Sequence, residues 1–194
     1  MKNMICKFIL LFFAVGFSFT NAQETKGFVD KGNVLVSGTI SYTNNFGERY
    51  AFYPDAGGKI ITIQAKPQTL YFINRTIAVG GEFSITHQYF EELNISGTEL
   101  GLGPKVAYFT KIGSAYPFLS AKVEYLNNAV ADDVNDGLGI GLSTGIIAPF
   151  TGNAGVLIDA GYRWEKIFFK PKAQSGGTIF LGVGVGGMII SNRR

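Results

Sequence analysis

Thiol chemistry is almost missing from this chain of 194 residues: it has one cysteine, Cys6, among the first ten residues. Histidine is equally scarce, with His87 alone. Without a Cys/His cluster there is no donor set for a transition metal, and no cofactor is expected. Proline is low at 6 residues, which excludes a disordered Pro/Gly-rich segment. No apolar run reaches the roughly 20 residues a membrane helix needs. The stretch TIFLGVGVGGMII, Thr178 to Ile190, is too short and too rich in glycine. Its GVGVGG (Gly182 to Gly187) matches the dinucleotide fingerprint only formally, because that fingerprint needs a following helix and an acidic residue about 20 positions on.

The N-terminus reads MKNMICKFILLFFAVGFSFTNAQ, with Lys2 and Lys7 ahead of an apolar run and Thr20-Asn21-Ala22 at its close. This is the pattern of a secretory signal peptide over residues 1–22, cleaved between Ala22 and Gln23. The expected mature domain is 23–194. Cys6 leaves with the signal, and its place before the apolar run argues against a lipoprotein cysteine. The mature chain then has neither thiol nor disulfide, so backbone pairing and packing must hold it. Removing Lys2 and Lys7 from the 17 basic residues leaves 15 against 14 acidic ones. That near-balance gives no reason to expect nucleic acid as a partner. Two sequons, Asn74-Arg75-Thr76 and Asn94-Ile95-Ser96, read as chance matches outside a eukaryotic secretory route.

What the chain does have is 26 glycines and 14% aromatic residues, spread over segments that alternate apolar and polar. In NVLVSGTISY, Val34, Val36, Ile40 and Tyr42 share one face; Asn33, Ser37, Thr39 and Ser41 share the other. The same period places Ile77, Val79, Phe83, Ile85 and Tyr89 opposite Glu82, Ser84, Thr86 and Gln88. Leu100, Leu102, Val106 and Tyr108 stand opposite Glu99 and Lys105, and Val156, Ile158, Tyr162 and Trp164 opposite Asp159, Arg163 and Glu165. In the last segment Leu181, Val183, Val185 and Ile189 face out and the inner face is mostly glycine.

Eight such segments are predicted, near 33–42, 59–73, 77–90, 98–110, 116–126, 138–150, 155–165 and 178–190. Short connections (Asn74 to Thr76, Lys111 to Ala115, Thr151 to Ala154) alternate with longer, more polar ones (Thr43 to Gly58, Glu91 to Gly97, Asn127 to Gly137, Lys166 to Gly177). An even number of long strands with short turns on one side and loops on the other describes an antiparallel up-and-down transmembrane β-barrel. A soluble sandwich also alternates, but it carries charges on its outer faces; here the apolar faces are nearly free of them. Thr178 to Ile190 is then the closing strand.

A weak repeat relates PQTLYFINRTIAVG (Pro67 to Gly80) to PKVAYFTKIGSAYPF (Pro104 to Phe118), with a fainter echo in IIAPFTGNAGVLIDAG (Ile146 to Gly161). Tyr71-Phe72, Tyr108-Phe109 and Phe150 are expected to form an aromatic girdle at the turn side. Tyr42, Tyr89, Tyr125, Tyr162 and Trp164 are expected to form a second one at the loop side.

In its Gly-Tyr-Phe-rich strand-turn-strand units and eight-strand layout, the mature chain resembles the small outer-membrane β-barrel proteins of Gram-negative bacteria, the OmpA-transmembrane-domain and OmpX-like, porin-like group. It departs from them at its close, Ile190-Ser191-Asn192-Arg193-Arg194, where an aromatic is common. The resemblance implies export to the cell outer membrane and a monomer among outer-membrane lipid and lipopolysaccharide. It also implies long loops that present a surface to ligands or proteins.

The polar face concentrates the candidate site residues. Lys66, Glu82, Glu99, Lys105, Lys122, Glu124, Asp159 and Arg163 share the inward register, and an eight-stranded barrel is only wide enough for side chains to fill it. Buried charges in that space must pair, which predicts a salt-bridged lumen; a narrow porin-like channel past the same charges is the competing reading. Gly139, Gly141, Gly182 and Gly184 are expected to leave room for the long chains opposite. An enzyme acting on lipid ranks third: His87 has Thr86 and Gln88 beside it instead of the serine such barrels use, and its register points outward. The acidic stretch Ala131 to Gly137 misses calcium-loop spacing. Lys166, Lys170 and Lys172 read equally well as contacts for lipopolysaccharide phosphates and as simply solvated charges. The function expected is that of a non-enzymatic outer-membrane barrel whose loops serve structural, binding or adhesion roles.

Overall fold

The computed structural model describes residues 28–51, 60–90, 95–130, 133–169 and 172–190; the expected signal peptide lies outside them. Eight strands follow one another: β1 Val34–Phe46, β2 Ile60–Phe72, β3 Ile77–Phe90, β4 Ile95–Phe109, β5 Tyr116–Val130, β6 Asp133–Pro149, β7 Ala154–Ile167 and β8 Gln174–Ile189. A short helix, α1 (Glu48–Ala51), follows β1. Each strand pairs antiparallel with the next, and β1 pairs with β8 from Val34↔Ile189 to Phe46↔Gly177. The sheet is a closed barrel, which removes the sandwich from consideration.

The period-two pattern decides the two faces, since successive side chains leave a strand in opposite directions. Ile40, Tyr42, Leu102, Leu142, Leu181 and Val185 stand exposed outside, while Ser37, Thr39, Glu82, Ser84, Thr86, Asp159 and Arg163 are buried inside. A soluble protein has the reverse arrangement; this one fits a hydrocarbon surround.

Two expectations need correction. The strands overrun their predicted loop-side ends: β5 and β6 pair as far as Val130↔Asp133, and β4 begins at Ile95. Hydrogen bonding across the ladder continues through polar residues such as Asn127, Asn128 and Asn135, where hydropathy shows no strand. Asp136, read from sequence as part of an acidic loop, sits in β6 and accepts hydrogen bonds from Tyr125 Oη and, at 3.2 Å, Asn127 Nδ2. The wider loops are therefore those around α1 and between β7 and β8.

The second correction concerns the turn-side girdle. Tyr71, Tyr108 and Phe150 face outward, but Phe72 and Phe109 are fully buried in the lumen. Adjacent residues of a strand cannot share a face, so each Tyr-Phe pair supplies one ring to each side. The repeat thus builds an interior layer: Phe72 and Phe109 rings lie 5.1 Å apart and Phe109 and Phe118 5.4 Å apart. Of the residues expected at the loop-side girdle, Tyr42, Tyr125, Tyr162 and Trp164 are exposed, while Tyr89 is half-buried.

The turn at Asn74 shows why its sequon residues are there: Asn74 Oδ1 accepts from the backbone N–H of Thr76 and Ile77 at 2.8 and 2.7 Å, the local closure that favours Asn in turns.

Candidate functional site

The lumen is filled in tiers. At the turn end, Phe28 enters from the segment preceding β1 and is wholly buried. Its ring stacks on Tyr116 at 5.3 Å over a floor formed by Leu35, Leu70, Phe72, Phe109, Leu157 and Met188. Backbone bonds anchor that segment to the end of the neighbouring β2, from Gly32 N to Phe72 O and from Phe72 N to Asn33 O, both 2.9 Å.

Above this apolar floor lie the charges. Lys105 Nζ donates to Glu82 at 2.6 Å, and Lys122 Nζ bridges Glu82 and Glu124 at 2.8 and 2.7 Å. Arg163 continues the chain, meeting Glu124 at 3.5 Å, Glu99 at 2.7 Å and Glu165 at 2.5 Å. A separate pair joins Lys66 to Asp159 at 2.8 Å, with Lys66 Nζ 3.5 Å from the centre of the Phe180 ring. All eight residues singled out from the sequence are buried and stand in these pairs. They belong to five different strands, so only barrel closure brings them together.

The glycines act as spaces. Gly139 and Gly141 oppose Glu124 and Lys122 across the β5–β6 ladder, and a methyl group added to either would lie about 2.9 Å from those side chains. Gly182 makes the same room beside Asp159. Gly184 departs from expectation, since its inner side is occupied by the backbone of Gly38 and not by a charged chain.

Two members of the network were not among the candidates. Glu165, at the loop end of β7, is fully buried, and Arg49 reaches it from α1 at 2.6 Å while also meeting Glu99 at 2.5 Å. Tyr50 donates its hydroxyl to Glu165 as well; burial and that carboxylate hold its phenol protonated, above the ordinary tyrosine range. Gly47, with φ of 104°, turns the chain from β1 into α1 against Gly176 Cα, a conformation that favours glycine. Charge balance was the available signal. Once Glu165 is placed inward by its register, the strands hold five carboxylates against four cations, and the missing cation must come from outside the wall. Among the described residues the filled lumen has five of each sign.

Outside the barrel, His87 faces outward near the loop end, and its Nδ1 lies 3.3 Å from Thr98 Oγ1. Lys166 and Lys172 are exposed at the loop side; Lys170 lies outside the described residues.

This architecture is that of small outer-membrane β-barrels. Neisserial surface protein A superposes with a TM-score of 0.61 at 17% identity, over 81% of this chain and 99% of that one. AlkL, solved in lipid bilayers by solid-state NMR, gives 0.55 at 11% identity over 90% and 98%. OprG from Pseudomonas aeruginosa gives 0.53 at 11% over 85% and 99%. At such identities the shared property is the fold: a closed eight-stranded transmembrane barrel. No protein-family model and no curated protein sequence matches the chain.

Proposed function

We propose that this protein is a non-enzymatic, monomeric component of the Gram-negative outer membrane, a non-conducting barrel that carries its loops as a surface for binding or adhesion. The observation that carries the reading is the pairing of five cations with five carboxylates across the lumen, four of each in one connected chain and Lys66 with Asp159 beside it, between an apolar floor at the turn end and α1 at the loop end. Charges so placed neutralise one another and leave no unpaired set to draw an ion through. In planar bilayers the refolded protein is expected to show only baseline conductance. Steady unitary currents from the unaltered protein would replace this reading with that of a narrow solute channel.

Export rests on the N-terminal signal pattern. An even strand number started on the periplasmic side returns both ends of the barrel there, which puts α1 and the β7–β8 connection outside. Lys166 and Lys172, beyond the Trp164 girdle, then lie at the level of lipopolysaccharide phosphates. Protease added to intact cells is expected to cut within Thr43 to Gly58 or Lys166 to Gly177. Cleavage restricted to the turn at Asn74 would mean the opposite orientation.

A further inference from the structure

Every cation of the lumen network but one comes from the barrel wall. Arg49 is the exception: it hangs from a four-residue helix in a connecting loop, yet its side chain is only 4% exposed. Its guanidinium is gripped by Glu99 and Glu165 from β4 and β7 at 2.5 and 2.6 Å. Both carboxylates also bind Arg163, whose Nη2 lies 2.7 Å from Glu99 and 2.5 Å from Glu165. The wall alone therefore presents two buried carboxylates, converging from separate strands and held in place by a fixed arginine. It is one positive charge short. Gly176 lets α1 seat closely on the mouth, since a methyl group there would lie 3.2 Å from Arg49 Cβ and 2.9 Å from the Tyr50 ring.

We infer that the loop-end mouth of the barrel is a receptor for guanidinium-type cations, occupied in cis by Arg49, which an external ligand bearing such a group enters by displacing α1. Two carboxylates converging on the two Nη atoms of one guanidinium suit a planar, forked cation better than a spherical one. The tether explains why the site is closed at rest: Arg49 follows closely on the end of β1 at Phe46, and a group on so short a tether competes at an effective concentration in the millimolar range. The chemical class of ligand is then an arginine side chain or a small guanidine, presented from outside the cell. The inference rests on the charge-closed lumen proposed above and on α1 facing outward.

The test is a rescue experiment with methylguanidinium as the probe. In Arg49→Ala protein refolded in detergent micelles, the thermal midpoint is expected to fall, and millimolar methylguanidinium is expected to restore it saturably. Choline, matched for charge and ionic strength, is expected to have no such effect. The wild-type protein, with its site filled, is expected to need roughly tenfold or more probe for any response. Adding Glu165→Gln to Arg49→Ala is expected to abolish the rescue. Should Arg49→Ala fail to refold, Arg49→Gln keeps the first part of the stem without the charge, and refolding only with probe in the buffer supports the site as well. Equal responses to choline and methylguanidinium, no saturation, or no refolding of either variant with probe present would overturn it. Conductance of the wild-type protein is read separately, so a failure of the closed-lumen reading is seen independently of this titration.

Discussion

Arg163→Ala will lower the stability of the barrel more than any other single change in the lumen. Arg163 is 2% exposed and touches three carboxylates, Glu99, Glu124 and Glu165. Without it, Arg49 alone is left to Glu99 and Glu165, and Lys122 must serve Glu124 and Glu82 together. Breaking a buried ion pair by removing one side typically costs about 3–5 kcal/mol, and three carboxylates losing a shared cation at once place this change at the upper end of that span. Arg163→Lys is expected to be intermediate, because an ammonium keeps the charge but not the planar fork that reaches several carboxylates at once. Glu82→Ala leaves Lys122 its bond to Glu124 but strands Lys105, so it is expected to cost less than Arg163→Ala. Ser84→Ala serves as control: its hydroxyl lies 3.4 Å from Glu124, and its loss is expected to cost no more than about 1 kcal/mol. Urea unfolding in vesicles checks the order. Equal midpoints for Arg163→Ala and Ser84→Ala would show that the ion network contributes nothing to the fold.

A charge on the outer wall tests the opposite face. Val183 lies midway along β8, paired with Ile40 and Ile158, and points away from the lumen. An arginine there would sit near the bilayer midplane, where such a substitution costs about 2–4 kcal/mol. At Ser96, an outward position at the loop end of β4, the same charge is expected to cost about 0–1 kcal/mol. Folding yield into phosphatidylcholine vesicles is therefore expected to drop sharply for Val183→Arg and hardly at all for Ser96→Arg. Similar yields for both would mean that the apolar wall does not face hydrocarbon.

The strand faces were open to a reader of the sequence because their cause is local. Period two along a strand assigns each residue to one side without reference to any other strand, and this is why Lys66, Asp159 and the others were recognised as inward. The same rule, applied strictly, would have turned Phe72 and Phe109 inward too, since each follows an outward tyrosine; the expectation of a girdle from pairs overlooked it. Strand ends were less legible. Around Asn127 to Asn135 the ladder is sustained by hydrogen bonding between neighbouring backbones, which leaves no mark in hydropathy.

Partners within the lumen belong to the tertiary structure alone. Glu99 and Arg163 are 64 positions apart, and only the closure of β8 on β1 and the shared register of the wall fix which charges meet. Arg49 is the extreme case. A residue in a connection has no alternating register to read, so its burial follows from the shape of the mouth, the turn at Gly47 and the attraction of two carboxylates already short of one positive charge. Sequence determined which residues face inward; the three-dimensional barrel decided their pairing, because Coulomb attraction and hydrogen bonding act through distances that chain position does not specify.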